Sequence, residues 1–258
     1  MKKSVAIILD GSFVIKKLWP IYSQFPSETE IYEFACGCID HSSEELFRIF
    51  FYHCLPYEET ETHPVTREII HFGASSTAQR NRQIISKLAE KNYVAVRKGR
   101  LAFRGWTIKK FTVDRLQRHA SSKQNLSFQQ VAVSSTIHKE NENNGQLGDN
   151  QKKPLENAPI TADDFEPDFT QKEVDIKIGL DVAWLSSKRI VDKIILVTGD
   201  TDFIPAMKFA RKEGVQVVMI SIMNNNMKDS DYLKSELKEH TDEVRYLKYD
   251  NNKWFIHN

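Results

Sequence analysis

Short, continuous apolar runs are the clearest feature of the hydropathy pattern along this chain. Val5–Leu9 and Lys193–Val197 are apolar at almost every position, with no alternation of polar and apolar residues. A strand of a parallel sheet has this pattern when helices cover both of its faces. We predict further strands at 46–54, 215–220 and 244–247.

Segments with helical periodicity separate these runs. We predict helices at 28–39, 78–92, 174–185, 203–212 and 228–239, and a hairpin formed by 93–97 and 101–103. Strands that alternate with helices indicate an α/β fold, a parallel sheet flanked by helices.

One long polar segment interrupts this alternation. Residues 119–168 are rich in Asn, Gln, Ser and Glu, and large apolar side chains are rare after Ile137. We predict that at least 138–168 forms a long loop or mobile insertion, with regular structure resuming at about 173. The chain is then a single domain over 1–258, interrupted at about 119–170.

Composition favours a cytoplasmic protein without a membrane anchor. The apolar runs are far shorter than the ~20 residues that cross a bilayer, and Asp10 ends the first run too early for a signal peptide. Three cysteines in 258 residues argue against a disulfide framework.

The net charge of +1 conceals a strong segmentation of charge. Residues 80–123 contain 13 Lys and Arg against two acids, whereas residues 140–175 contain ten acids against three lysines. Aromatic side chains lie among the basic ones, so this segment can track a phosphate backbone and stack on unpaired bases. A solvated charged face is the alternative. The substrate contacts predicted here are Arg97, Arg100, Arg104 and Trp106.

Carboxylates follow two of the predicted strands. Asp10 comes directly after the first, and Asp200 and Asp202 follow Lys193–Val197 through a short turn. Open parallel sheets place their ligand crevice at the carboxyl ends of the strands. Carboxylates collected there repel one another unless a cation neutralises them, and an all-oxygen ligand set suits Mg²⁺ or Mn²⁺.

A further acid, Asp175, begins the helix after the insertion. Asp181 lies on the same helix, but it is about 240° away around the axis, which favours a place at the edge of the site or behind it.

Three blocks of this sequence together resemble the NYN domain, a PIN-like group of ribonucleases that includes the LabA type. The blocks are residues 7–12, residues 171–175 with Asp181, and residues 197–203. The resemblance implies a Rossmann-like sheet, an acidic Mg²⁺ or Mn²⁺ centre, and endonucleolytic cleavage of RNA to 5′-phosphate and 3′-hydroxyl ends. It implies that Asp10, Asp175 and Asp200 are the catalytic metal ligands, supported by Asp202 and Asp181.

The sequence departs from the family pattern at two positions. Phe13 stands where the first block usually has Asn, and Glu173 stands where the second usually has Gly. The missing Asn bears on a contact that positions water or substrate in the family, and it removes no metal ligand. Ser12, Lys172 and Thr198 lie within or beside the blocks, and we predict that they contact substrate.

The predicted function is therefore a metal-dependent endoribonuclease acting on single-stranded or structured RNA. The first alternative is a PIN-like module that binds RNA or protein without cutting. The second is a phosphatase of the haloacid dehalogenase type, although that chemistry requires an Asp where Ser12 stands.

Other cofactors have little support in the sequence. Cys36 and Cys38 have a spacing that fits no common zinc module, and no glycine pattern for a nucleotide cofactor is present. The aromatic-rich stretch 13–34 leaves a homo-oligomer open.

Overall fold

The computed structural model describes residues 1–118, 160–223 and 233–257. Its strands are β1 (Lys3–Asp10), β2 (Glu44–Leu55), β3 (Thr60–Thr62), β4 (Ile69–His71), β5 (Val94–Ile108), β6 (Phe165–Lys172), β7 (Lys193–Val197), β8 (Gln216–Met223), β9 (Glu243–Asp250) and β10 (Lys253–His257). Its helices are α1 (Gly11–Tyr22), α2 (Glu28–Gly37), α3 (Ser76–Ala89), α4 (110–118), α5 (Val174–Ser187), α6 (Ile204–Lys212) and α7 (Ser235–Glu239).

Among the described residues, eight strands form one sheet in the order β10-β9-β8-β7-β1-β2-β5-β6. β1 pairs in parallel with both β2 and β7, and the β2–β5, β7–β8 and β8–β9 pairs are also parallel. The β9–β10 pair is antiparallel. The prediction of an α/β fold with a mainly parallel sheet flanked by helices is confirmed.

The sheet is covered on both faces, which explains the unbroken apolar runs. Val5, Ile7 and Leu9 of β1 pack into one core cluster together with residues of α1, α2 and α3. Ala6 and Ile8 point to the opposite face and pack with residues of α5, α6 and α7. Because neighbouring residues of a strand face opposite sides, a strand between two helical layers must be apolar throughout.

A crevice arises where β1 and β7 lie side by side. The chain leaves β1 through α1 on one face and leaves β7 through α6 on the other. Connections that diverge in this way leave a gap beyond the carboxyl ends of the two strands, where α/β proteins bind ligands.

The chain divides into two compact units. The first contains residues 1–60, 71–102 and 170–258, and the second contains residues 61–70 and 103–169. In the second unit, the buried Asp164 accepts a hydrogen bond from the Thr112 hydroxyl at 2.6 Å and pairs with Arg115 at 3.2 Å. The prediction of a single domain over 1–258 stays a prediction.

The predicted hairpin around Gly99 is wrong. Residues 94–108 form one continuous strand, β5, and residues 94–100 pair in parallel with β2. Gly99 does not turn the chain: a Cβ there would lie 2.6 Å from a methyl of Val174 and 2.7 Å from the carbonyl oxygen of Lys172. This glycine permits a close approach of neighbouring segments.

Other segments also differ from the prediction. Regular structure resumes in β6 at Phe165, not at 173, so the end of the predicted insertion is a strand. α1 was not predicted, because Asp10 and Gly11 resemble a turn and Pro20 lies inside the helix. β10 was not predicted either. Residues 119–159, and 228–232 of the predicted helix 228–239, lie outside the described residues.

No helix in the described ranges is both long enough and apolar enough to cross a membrane.

Candidate active site

Asp10 ends β1 and caps α1, because its Oδ1 accepts a hydrogen bond from the Phe13 amide at 3.2 Å. Its Oδ2 accepts a second one from the hydroxyl of Thr198, also at 3.2 Å. Burial raises the pKa of Asp10. The two hydrogen bonds oppose this rise, and the charge of Asp175 adds to it. Asp10 is thus a half-buried carboxylate in a fixed orientation.

Asp200 lies on the loop that follows β7 and caps the short 3-10 turn after it. Its Oδ1 accepts a hydrogen bond from the Asp202 amide at 2.9 Å. The amide of Asp200 in turn donates to the Thr198 hydroxyl at 3.2 Å. Thr198, which has no exposed surface, therefore connects the ends of β1 and β7 through one hydroxyl group.

Asp175 enters the same region from the first turn of α5. Burial is the largest cause of its raised pKa, and the charges of Asp200 and Asp202 raise it further. Carboxylates from three distant segments thus act on one another electrostatically. The charge of Asp175 acts on Asp10, and the charges of Asp200 and Asp202 act on Asp175.

This donor set has the chemistry that a hard divalent cation needs. Neighbouring carboxylates repel one another, and a cation that lies between them removes that repulsion. In the described ranges, however, no three His, Cys, Asp or Glu side chains are grouped closely enough to hold one ion. Cation binding would therefore require the aspartate side chains to draw closer.

Asp181 has different partners. Its Oδ2 accepts a hydrogen bond from the Tyr52 hydroxyl at 2.6 Å and pairs with Nε of Arg97 at 2.9 Å. The Arg97 guanidinium also lies 5.4 Å from the centre of the Phe50 ring. Asp181 thus ties α5 to β2 and β5. A tyrosine within the apolar run of β2, whose hydroxyl needs a partner, is the sequence signal for this contact.

Glu173, which departs from the family pattern, has a φ of 74° at the start of α5. A left-handed conformation is one that glycine adopts without strain, which gives a physical reason for the family's glycine. The Glu173 carboxylate pairs with Arg100 and Lys177, each at 2.9 Å. Arg100, a predicted substrate contact, therefore already has an acidic partner. Lys172, another predicted contact, lies exposed at the end of β6.

Phe13, the other departure, packs on the loop after β7. A Cβ added to Gly199 would lie 2.5 Å from the ring of Phe13. The aromatic ring therefore occupies the space above Gly199, between the loops that contain Asp10 and Asp200.

Ser12 and Gln171 form a contact that the sequence did not indicate. The Gln171 amide donates a hydrogen bond to the Ser12 hydroxyl at 2.8 Å, joining the first turn of α1 to β6. Both residues belong to the quoted blocks, but nothing in their spacing predicts this pairing.

Arg104 and Trp106 belong to the second compact unit. The Trp106 ring lies 4.7 Å from that of His63 and 6.0 Å from that of Phe103, measured between centroids. Their predicted role as substrate contacts stays a prediction.

Comparison with known proteins gives the family. The model of the NYN domain matches residues 91–247, a range that includes Asp175, Asp181, Asp200 and Asp202. An uncharacterized protein of Methanocaldococcus jannaschii is 36% identical over 56 residues, which cover 22% of this chain and 23% of that protein. A crystal structure of a protein of unknown function from Vibrio parahaemolyticus aligns with 99% of this chain. The alignment includes 97% of the solved chain, at 11% sequence identity and a TM-score of 0.44. The family model matches more than half of this chain, which shows that the chain belongs to the NYN domain family.

Proposed function

We propose that the protein is a metal-dependent endoribonuclease that hydrolyses phosphodiester bonds of RNA at the Asp10 crevice. NYN domains are generally ribonucleases, so the family supports a nuclease or RNA-related function. The observation that carries the proposal is that one buried hydroxyl, that of Thr198, bonds to both the Asp10 carboxylate and the Asp200 amide, while the charge of Asp175 acts on Asp10.

The four aspartates would hold Mg²⁺ or Mn²⁺. A divalent cation bound there would balance their charge and polarise the scissile phosphate. The protein's own contribution is orientation: the Thr198 hydroxyl fixes one oxygen of Asp10, and the Phe13 amide fixes the other. A carboxylate held in this way loses little conformational entropy when it acts, which lowers the barrier.

End-labelled RNA incubated with the protein and Mg²⁺ or Mn²⁺ tests the proposal. We expect cleavage inside the strand that EDTA abolishes. Asp10→Asn and Asp200→Asn should each lower the rate by about 100-fold or more, because each removes several kcal/mol of charge stabilisation. Asp250→Asn, the same change at an exposed residue of β9, is the matched control and should leave the rate unchanged.

A non-catalytic RNA-binding module is the second candidate, favoured by Phe13. An apolar ring stands above Gly199 where the family pattern has an amide. If the wild type binds RNA but cuts none with either cation, this candidate replaces the first. Cleavage that persists at full rate in both aspartate variants would point to a contaminating nuclease and would also remove the proposal.

A further inference from the structure

Helix α5 is apolar on two opposite sides. Its inner side packs against the sheet through four buried residues, Val174, Ile178, Val182 and Leu185. On its outer side, Ile176 is 70% exposed, Leu180 is 64% exposed and Trp184 is 49% exposed. A helix at a protein surface is normally apolar on its inner side alone, and a helix that is apolar all round is normally buried. The outer side of α5 therefore has the character of a surface that a partner covers.

The three exposed side chains form one continuous stripe, which we call the α5 stripe and define as Ile176, Leu180 and Trp184. Successive members are four residues apart, which places them about 6 Å apart along the helix axis and only about 40° apart around it. Single apolar residues at a surface are ordinary, whereas a contiguous group of them marks an interaction site.

The charged residues next to the α5 stripe in the sequence are bonded elsewhere. Nζ of Lys177 donates a hydrogen bond to the Lys98 carbonyl oxygen at 2.8 Å and pairs with Glu173 at 2.9 Å. Asp181 pairs with Arg97 at 2.9 Å. These bonds hold both side chains against β5 or the start of α5, so the stripe is well suited to contact another apolar surface.

Helix α6 widens this surface. It packs beside α5, and its Phe209 is 39% exposed. Even an aromatic side chain buries only about 150–250 Å², so the three of the stripe fall short of the about 800 Å² that each partner buries in a standard interface. We therefore expect a partner to reach α6 as well, and the complex to be a reversible one.

The two ends of α5 differ in charge. Asp175 lies in its first turn, where the charges of Asp200 and Asp202 act on it. Lys188 and Arg189 follow its last turn, and both are exposed. Neither of these two cations has an ion-pair partner among the residues that the structure describes. A partner that matches α5 must therefore be basic near the first end and acidic near the second.

A second copy of α5, running antiparallel, meets both requirements. A two-fold axis through position 180 places Leu180 against its own copy, and it places Ile176 of each copy against Trp184 of the other. The same rotation brings the basic end of each helix beside the acidic end of its partner, whereas a parallel pair would bring like charges together. RNA fits the stripe less well, because Lys177, the cation nearest to it in the sequence, is already bonded to Glu173 and Lys98.

We propose that the protein forms a homodimer in which the α5 stripes of two copies pack antiparallel about a two-fold axis. This inference is independent of the proposed function, because it concerns a surface that faces away from the sheet and needs neither RNA nor a cation.

Sedimentation velocity of the full chain over a dilution series, without RNA or metal, tests the dimer. We expect a reversible monomer–dimer equilibrium with a micromolar dissociation constant. Leu180→Arg places a charge against its own copy at the two-fold axis, so it should raise that constant by about 30-fold or more, as the loss of a central interface residue does. The side chain is mostly exposed in the monomer, so the variant should keep its circular dichroism spectrum.

Two tryptophan variants form a matched pair. Trp184→Ala should raise the dissociation constant by about 5-fold or more, because it removes an aromatic side chain from the interface. Trp19→Ala removes a tryptophan of equal exposure from α1, 50% against 49%, and should leave the constant unchanged. Trp19 also lies in the aromatic-rich stretch 13–34. A dimer that Trp19→Ala dissociates and Trp184→Ala does not would place the interface on α1 and overturn the proposal.

Cysteine cross-linking tests the antiparallel orientation. Leu180→Cys should give a disulfide-linked dimer under mild oxidation, because the two copies of that position face each other. Ile176→Cys should not, since its two copies lie about 12 Å apart along the axis, beyond the about 7 Å between Cα atoms that a disulfide spans. The wild type supplies the background, because Cys38 and Cys54 are buried and Cys36 is partly buried. Equal cross-linking by the two variants would show a parallel pair and contradict the proposal.

The remaining outcomes are also decisive. A wild type that stays monomeric at every concentration overturns the dimer, and so does a dimer that Leu180→Arg leaves intact. If the wild type is monomeric and Leu180→Arg weakens its binding of RNA, the stripe belongs to RNA. None of these measurements involves cleavage, so a failure of the proposed nuclease activity leaves the dimer standing, and a failure of the dimer leaves the nuclease standing.

Discussion

At the scale of single residues, the carboxylates of the site are held by the backbone that follows them. Asp10 and Asp200 each accept an amide hydrogen bond from two or three residues ahead, and Thr198 connects the two. These local bonds fix one oxygen of each carboxylate. The buried hydroxyl of Thr198 is then the group on which the arrangement of both aspartates depends.

Replacing Thr198 by Val tests this role, because valine keeps the shape and removes the hydroxyl. We expect the free energy of unfolding to fall by about 1–3 kcal/mol and the pKa of Asp10 to rise further, since a bond that lowers it is lost. Urea denaturation and NMR titration of the carboxyl would measure these changes.

Ser186→Ala is the control for Thr198→Val. The Ser186 hydroxyl is equally buried, but it donates at 2.7 Å to Val182, a carbonyl of its own helix. Its loss should cost less than that of the Thr198 hydroxyl, because such a bond adds little to a helix. Equal losses in the two variants would contradict the role given to Thr198.

Glu173 allows a second test at the residue scale. Its φ of 74° strains any residue with a Cβ, by about 1–2 kcal/mol. Glu173→Gly and Glu173→Ala both lose the ion pairs with Arg100 and Lys177, so the two variants differ mainly in backbone strain. The Gly variant should be more stable than the Ala variant by roughly 1 kcal/mol, measured by thermal or urea unfolding. An Ala variant of equal or higher stability would show that the position is unstrained.

At the scale of elements, strand β5 shows where sequence patterns mislead. Its basic residues and Gly99 resemble a turn, but Gly99 is needed because Val174 and the Lys172 carbonyl approach the chain there. That reason is tertiary, and no local pattern contains it.

A pair of glycine substitutions tests the role of Gly99. Gly99→Ala should lower the free energy of unfolding by about 1–3 kcal/mol, because the added methyl overlaps backbone and packed side chains. Gly179→Ala, in α5 with open space around it, should raise that free energy by about 0.5–1 kcal/mol. Changes of the same sign in the two variants would refute this account of β5.

The sequence predicts the elements that have a local cause. A strand covered on both faces is apolar throughout, so the strands at Val5–Leu9 and Lys193–Val197 could be predicted. The positions of Asp10 and Asp200 could be predicted because these residues follow such strands. The contacts of Ser12 with Gln171, of Asp181 with Tyr52 and of Phe13 with Gly199 join positions far apart in the chain. Their partners depend on the assembled sheet, so spacing alone cannot give them.

At the scale of the whole molecule, the two ends of the strands differ in character. The aspartates lie at the carboxyl ends of β1 and β7, whereas a buried ionic cluster lies at the amino ends of β2 and β7 and on β9. Glu44 there is only 1% exposed and bonds to both Arg245 and Lys193. Glu243 completes the cluster as the second acid. One end of the sheet thus neutralises its charges internally, whereas under the proposed function a divalent cation would neutralise those at the other end.

The acid stability of the protein should depend on Glu44. Burial by itself raises the pKa of its carboxyl, but hydrogen bonds from Arg245 and Lys193 outweigh burial and lower the pKa from 4.5 to about 2. A carboxyl with a lower pKa in the folded state stabilises the fold above its unfolded pKa. This stabilisation should therefore be complete above about pH 4.5 and be lost as the pH falls towards 2.

Urea unfolding of Glu44→Gln across this pH range provides the measurement. The variant should lose about 3 kcal/mol or more at pH 7, because Arg245 and Lys193 lose a buried partner, and its stability should fall less on acidification. Glu45→Gln, at the exposed neighbouring position, should change stability by less than about 0.5 kcal/mol. A Glu44 variant with the acid profile of the wild type would exclude this role.

The capping role of Asp10 and Asp200 has an evolutionary consequence. Each carboxylate also caps the helical turn that follows it, and asparagine caps a helix about as well as aspartate does. Replacing one oxygen by an amide nitrogen therefore removes a negative charge but spares the architecture. Under the proposed function, a single inherited substitution of this kind would turn a ribonuclease into a protein that still binds RNA but does not cut it.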